Sequence, residues 1–198
     1  MNQDLSQYIS EAKNIVIFTG AGISTESGIP DFRGPQGVWK TNTPIYFQDF
    51  IGSEEVRKVS WKRKFSGQDI IKKAKPNIGH LAVAKIINKH ESAYLITQNV
   101  DNLHQDAGVP DDKITEIHGN AHYASCLDCG IRYELNSIKK AFLENETVPY
   151  CDSCGGIIKT ATISFGQPMP EEGMQIAQRK TLGCDLFITI GTSLVVYP

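Results

Sequence analysis

The chain predicts an α/β fold built on a parallel sheet, with a second, smaller lobe marked by cysteines. Three observations carry this. Short apolar runs alternate with segments of helical spacing, a glycine-rich turn follows the first run, and two CxxC pairs stand 21 residues apart. Leu5, Tyr8, Ile9 and Ala12 repeat at helical spacing, so residues 4–12 form a short helix. Residues 14–19 are an apolar, β-branched strand ended by glycine. Residues 33–76 hold Pro35, Gly37, Pro44, Gly52 and Gly67 with aromatics between them, which predicts a loop-rich, partly helical lobe. Pro76-Asn77 opens a helix that carries Ile78, Leu81, Ala84 and Ile87 and ends near Asn88. Residues 93–97, 114–118 and 161–165 are further strands. Residues 171–181 are helical and Gly183 breaks them. Residues 184–190 are the most strand-like stretch, read as buried and ended by Gly191.

A length of 198 residues suits one domain with a small insertion. The net charge is −2 and the basic residues are scattered, so there is no electrostatic basis for sequence-independent binding to nucleic acid. The short run Trp61-Lys62-Arg63-Lys64 reads as a solvated helix face. The N-terminus has neither the basic start nor the apolar core of a signal peptide, and no apolar run approaches membrane-spanning length. A soluble, cytoplasmic chain with reduced cysteines is expected, with no membrane partner.

Cys126-Leu-Asp-Cys129 and Cys151-Asp-Ser-Cys154 are two knuckles, each followed by glycine. Four thiolates satisfy a tetrahedral zinc ion, and each CxxC turn brings two sulfurs to one side of it. Two redox pairs or two disulfides are the alternatives. A redox CxxC usually opens a helix of a thioredoxin-like unit, and no such unit is visible. Cys184 stands alone before an apolar strand and reads as a core residue.

In the turn TGAGISTESGIPDFRG, Gly20, Ala21 and Gly22 follow a strand and lead into an expected helix start, where they offer backbone N–H groups to a pyrophosphate. The spacing is G-x-G-x5-G, and no acidic strand end follows about 20 residues on, as a dehydrogenase requires. Asp49 is near that distance but lies in the loop-rich lobe. Gln98, Asn99 and Asp101 follow the second strand. In an open α/β sheet they would meet the glycine turn across one cleft, where their amides and carboxylate suit ribose hydroxyls and a carboxamide. The same residues also read as a polar Asx turn. His118 ends another strand, either as a structural histidine or as a general base. Gly191, Thr192 and Ser193 end the last strand, either as a phosphate- or ribose-binding turn or as an ordinary loop.

The segments GAGIS, SGIPDFRG, TQNVDNLH, IHGN, the paired knuckles, SFGQPMP and GTSLVVYP stand in the order found in sirtuins, the NAD-dependent protein deacylases, and the chain resembles that family over nearly its whole length. The resemblance implies a discontinuous Rossmann-like NAD-binding domain over residues 1–32, 77–121 and 160–198. It implies a helical and cofactor-loop insertion at 33–76 and a zinc ribbon at 122–159. An acyl-lysine peptide and NAD as co-substrate meet in the cleft, nicotinamide leaves, and the acyl oxygen attacks C1′ of the ribose to give an imidate-linked intermediate. Free lysine, nicotinamide and O-acyl-ADP-ribose are the products. By the same resemblance His118 is the base on the ribose hydroxyls, with Asn99 beside it. Gly20, Ala21, Gly22 and Ser24 line the pyrophosphate and ribose, and Asp31, Phe32 and Arg33 form the cofactor loop. Gln98, Asn99 and Asp101 hold the nicotinamide ribose and carboxamide, and Gly191, Thr192 and Ser193 contact the adenosine half. Ser164, Phe165 and Gly166 pair with the peptide backbone as an added strand. Cys126, Cys129, Cys151 and Cys154 hold the zinc. An aromatic such as Phe32 over the reactive ribose protects acyl transfer from hydrolysis.

Three departures from the family pattern stand out. The FGE segment reads Phe165-Gly166-Gln167, without the acid, and Lys159-Thr160-Ala161 before it lacks a common proline. Ser60 and Arg63 align where deacylases for acidic acyl groups carry Tyr and Arg, so a neutral short acyl group is expected. Family members continue beyond GTSLVVYP with further sheet, so the last strand here is expected at an exposed edge. An NAD hydrolase or ADP-ribosyltransferase on the same fold, or a non-catalytic zinc- and NAD-binding module, are the other function classes.

Overall fold

A computed structural model describes residues 4–32, 34, 37–40 and 42–195. The N-terminal helix α1 (Leu5–Glu11) is capped by Asp4, whose carboxylate accepts the Ser6 N–H. It leads into strand β1 (Ile15–Thr19), the centre of a four-stranded sheet. The partners are β2 (Tyr94–Thr97), β3 (Ile114–Glu116) and β7 (Leu186–Ile190), in the order β3-β2-β1-β7, and every pairing is parallel. β1 and β2 read as nearly unbroken apolar runs because both faces of the sheet are covered. Ile15, Ile17 and Leu95 pack on one face against α4 (Ile78–Lys89), and Val16, Tyr94 and Ile96 on the other against α7 (Glu171–Leu182). Register fixes the functional edge: Thr19 is level with Thr97 and Ile190, and Thr97 with Glu116. All four C-terminal strand ends therefore open on one side, where open α/β sheets bind ligands.

The last strand is an edge strand, as the resemblance implies, but it is not buried. Its residues alternate between half-buried and exposed, and Phe187 is 40% exposed where it stacks on Phe18. Cys184 is half-buried beside the α7 core and donates its thiol to Thr181 O.

A second sheet of three antiparallel strands carries the cysteines. Its strands are β4 (Gly119–Cys126), β5 (Arg132–Glu134) and β6 (Ile158–Thr162), in the order β5-β4-β6. The strand expected at 161–165 thus lies at Ile158–Thr162 and pairs with β4 rather than with the large sheet. A helix, α6 (Leu135–Asn145), fills the space between the knuckles and buries Leu135, Ile138 and Phe142.

The segment expected to be loop-rich contains α2 (Phe47–Gly52) and the 20-residue helix α3 (Glu54–Lys73). Trp61 and Phe65, one turn apart and stacked at 5.5 Å, belong to the same core as Ala124, Cys126, Phe142, Cys151 and Ile158. The run Trp61-Lys62-Arg63-Lys64 is therefore no uniformly solvated face. Trp61 is buried, and Lys64 reaches inward to Ala121 O. Arg57 ties α3 down further, donating to Phe50 O, Ile51 O and the Tyr150 hydroxyl. Helical insertion and cysteine lobe share one core. Among the described residues no helix is long and apolar enough to cross a membrane.

Candidate active site

The turn after β1 opens in extended backbone at Gly20 and continues as a 3-10 helix, Ala21–Ser27, ended by Gly28 at φ 85°. It is not the α-helix start that the sequence suggested. The glycines have a local cause. Gly22 N–H donates to Gly191 O at 2.8 Å, and a Cβ on Gly22 would meet Gly191 O and Cα at 2.8 and 2.9 Å. The turns after β1 and β7 touch backbone to backbone, which only glycine allows.

Ser24 is wholly buried and is the hub of a polar network. Its hydroxyl donates to Asp101 Oδ2 at 2.6 Å and accepts from Asn99 Nδ2 at 3.2 Å. His80 Nε2 lies 3.3 Å from the same oxygen. Asn77, the cap of α4, donates its N–H to His80 Nδ1, so the proton of this neutral ring sits on Nε2 and points at Ser24. Burial pushes the His80 pKa down, and the nearby Asp101 opposes it. Asp101 Oδ1 accepts the Leu103 N–H, and Asn99 Nδ2 also reaches Gly20 O. The network joins the ends of β1, β2 and α4 in one cluster. His80 is not among the residues that the sequence pattern marks, where PNIGH is only a helix start. The Asn-x-x-His spacing of a capping box was its signal.

His118 stands between β3 and β4. Its Nδ1 lies 3.0 Å from Gln98 O, and a carbonyl only accepts, so Nδ1 carries the proton and Nε2 the basic lone pair. Gln98 in turn accepts from Thr192 Oγ1 at 2.8 Å, which links the ends of β2 and β7. Ser193 follows Thr192 on the same loop. Behind this layer Thr19 Oγ1 donates to Thr97 Oγ1 at 2.8 Å, and His104 Nε2 lies 2.9 Å from Thr19 Oγ1. His104 is 1% exposed, and its Nδ1 has no partner among the described residues. Burial drives its pKa down to about 3, helped by the neighbouring His80 ring.

Gly20, Ala21, Gly22, Ser24, Gln98, Asn99, Asp101, His118, Gly191, Thr192 and Ser193 thus gather at one sheet edge. Asp31 and Phe32 lie on the loop beyond the 3-10 turn. Asp31 closes that loop by accepting the Gly34 N–H at 2.8 Å, and Phe32 is 37% exposed. Arg33 lies outside the described residues. Ser164, Phe165 and Gly166 form a turn just past β6, beside His118, whose carbonyl accepts the Ile163 N–H. Phe165 O accepts from Phe47 N, and its ring lies 6.0 Å from that of Tyr46, so the turn is fastened to α2. Gln167, where the family pattern has an acid, closes this turn by accepting the Ser164 N–H at 3.1 Å.

The four cysteines converge: all four sulfurs lie within 4.8 Å of one another, with Cys126 and Cys154 at 3.5 Å and Cys129 and Cys151 at 3.6 Å. Zinc–sulfur bonds of about 2.3 Å in a tetrahedron require sulfurs about 3.8 Å apart, so the donor set fits the ion. Each knuckle closes by a backbone bond from its glycine, Gly130 to Cys126 O and Gly155 to Cys151 O, with both glycines at positive φ. Tyr133 donates its hydroxyl to Cys151 Sγ at 3.1 Å, which brings that thiol down to about 6 and favours thiolate.

A parallel sheet with a buried polar network at its strand ends and a four-thiolate lobe beside it defines a class: a nucleotide-cleft α/β protein with a closed metal site. Comparison with known proteins makes this particular. Residues 20–198 match the model of the Sir2 family. The chain is 50% identical over 194 residues to NAD-dependent protein deacetylase 1 of Bradyrhizobium diazoefficiens, covering 98% of this chain and 76% of that protein. It is 46% identical over 196 residues to the NAD-dependent protein deacetylase of Rhodopseudomonas palustris, covering 99% and 78%. A solved Sir2 structure with p53 peptide and NAD+ superposes with a TM-score of 0.79 at 35% identity, covering 99% of this chain and 79% of that one. A Sir2 mutant with deacetylated p53 peptide and 3′-O-acetyl ADP ribose gives a TM-score of 0.85 at 34% identity, covering 99% and 79%. The chain belongs to the Sir2 family.

Proposed function

We propose that this chain is an NAD-dependent protein lysine deacetylase. The observation that carries the reading is the orientation of His118: its Nδ1–H is committed to Gln98 O, so its basic Nε2 serves the cleft at the strand ends. NAD, as co-substrate, supplies the ADP-ribose that accepts the acyl group. The glycine turn and the 191–193 loop bind its phosphates and adenosine half. Asn99, Asp101 and Ser24 bind and orient the nicotinamide end from a buried, water-poor network. Phe32 on the loop beyond the turn excludes water. His118 takes a ribose hydroxyl proton at Nε2 and returns it, the task of a neutral imidazole near pH 7.

The acyl-lysine substrate enters as an extended peptide beside Ser164, Phe165 and Gly166, whose turn α2 fixes. The favoured acyl group is neutral and short, since Ser60 offers no phenol and Arg63 is bonded to Thr43 O. Residues 1–32, 77–121 and 160–198 carry NAD in this reading. Residues 33–76 and 122–159 form the smaller lobe, and zinc is structural. The chain acts in the cytoplasm, where unoxidised thiols persist, and the reading assigns no role to nucleic acid or membrane. The test is nicotinamide release from NAD with and without an acetyl-lysine peptide. Release that requires the peptide supports the reading, and equal release without it replaces it with NAD hydrolysis.

A further inference from the structure

A cavity of about 120 Å3 lies where α3 crosses β4 and the junction of β5 with α6. None of its lining residues belongs to the network around Ser24. Lys64 and Lys72 reach it from α3, Ala121 and His122 from β4, and Glu134 and Asn136 from the β5–α6 junction. Lys64 Nζ donates to Ala121 O at 2.5 Å and Lys72 Nζ to Asn136 Oδ1 at 3.3 Å. An ammonium has three donors, and these bonds use one each. His122 Nδ1 is buried with no partner among the described residues. Among the described lining residues the one acid is Glu134, and its carboxylate pairs with Arg132 at 3.2 Å on the exposed side.

Two ammonium groups and an imidazole thus line one space, and among the described residues no carboxylate is paired with them. The charges register this. Burial, with help from Lys72, brings Lys64 down to about 8. Burial and then Lys64 lower His122, while Asp106 and Asp101, which are not among the cavity's lining residues, oppose the shift. On this measure one water needs about 10–15 Å3, so the space has room for one tetrahedral ion.

We propose that this cavity binds a small tetrahedral oxyanion of phosphate or sulfate size, held by Lys64, Lys72 and the His122 ring. The bound ion bridges α3 to the strand that follows His118. Binding favours the charged forms of His122 and Lys64, so it takes up protons and tightens as the pH falls. One proton taken up changes the affinity about tenfold per pH unit. The site stands independently of the deacetylase reading.

The experiment is a titration of the full chain with inorganic sulfate, a dianion at both pH values used, against chloride at equal ionic strength, read at the His122 ring by NMR. It is run at pH 6 and pH 8, with and without ADP-ribose to fill the nucleotide cleft. The expected result is a saturable His122 response at least about tenfold tighter at pH 6, unchanged by ADP-ribose. Lys64→Met and Lys72→Gln each weaken it by about tenfold or more. If Lys64→Met fails to fold, Lys72→Gln and the wild-type pH dependence still decide. No saturable response at His122, a response that ADP-ribose abolishes, or equal binding by the variants overturns the proposal.

Discussion

At the level of single side chains, the proposed function gives His118 the proton transfer and Ser24 the binding network. His118→Ala is expected to fold normally and to lower acyl transfer by about 10²–10⁴-fold, the usual range for a lost general base. A steady-state assay with acetyl peptide checks this, and wild-type turnover by the variant would remove His118 from the role. Ser24→Ala leaves Asp101 Oδ2 and His80 Nε2–H without their shared partner, and unmet buried groups cost about 1–3 kcal/mol each. Binding of ADP-ribose should weaken by tenfold or more, as calorimetry would show. His104 sets a pH dependence. Its folded pKa of about 3 lies below the usual histidine value. Between those values the unfolded chain binds a proton that the folded chain does not, so stability falls on acidification. From pH 7 to pH 5 this group alone removes about 2 kcal/mol. Denaturant midpoints at the two pH values test the sign, and a fall from pH 7 to pH 5 as large in His104→Gln as in wild type would contradict it. His118 was legible as the polar end of an apolar run. His80 and His104 were not, because their roles come from α4 and α5 (Leu103–Asp106) folding back onto β1.

The elements show where local pattern sufficed and where packing overrode it. β1, β2, α4 and α7 were readable because apolar runs and periodic faces match a sheet covered on both sides. β4 went unread because its pairing with β6 shifts register between Gly119 and Ala124, which breaks alternation. α3 was masked by glycine, proline and scattered aromatics. Its burial of Trp61 and Phe65 depends on a lobe distant in sequence. That shared core makes a prediction. Removing the metal with a chelator, or changing Cys129→Ser, should lose hydrogen-exchange protection in α3 as well as in β4–β6. Structural zinc contributes about 10 kcal/mol or more in small zinc domains. Zinc release at one ion per chain with α3 still protected would separate the two.

At the scale of the whole molecule, two touching glycine turns, the Ser24 network and His118 converge because four parallel strands end on one edge. The glycine turn alone resembled a dehydrogenase fingerprint, and its spacing argued against one. The order of motifs along the chain carried what no single motif did, and the convergence of the cysteines needed only the two knuckle spacings. What sequence could not supply was contact: which turns touch, which imidazole nitrogen bears the proton, and how α2 fastens the turn at Ser164, Phe165 and Gly166. Every role proposed for the cleft requires that NAD be consumed as acceptor of the acyl group. Mass spectrometry of the products from NAD and an acetyl-lysine peptide tests this most directly. The predicted result is O-acetyl-ADP-ribose, nicotinamide and free-lysine peptide in equal amounts, and free ADP-ribose with the peptide still acetylated would contradict it.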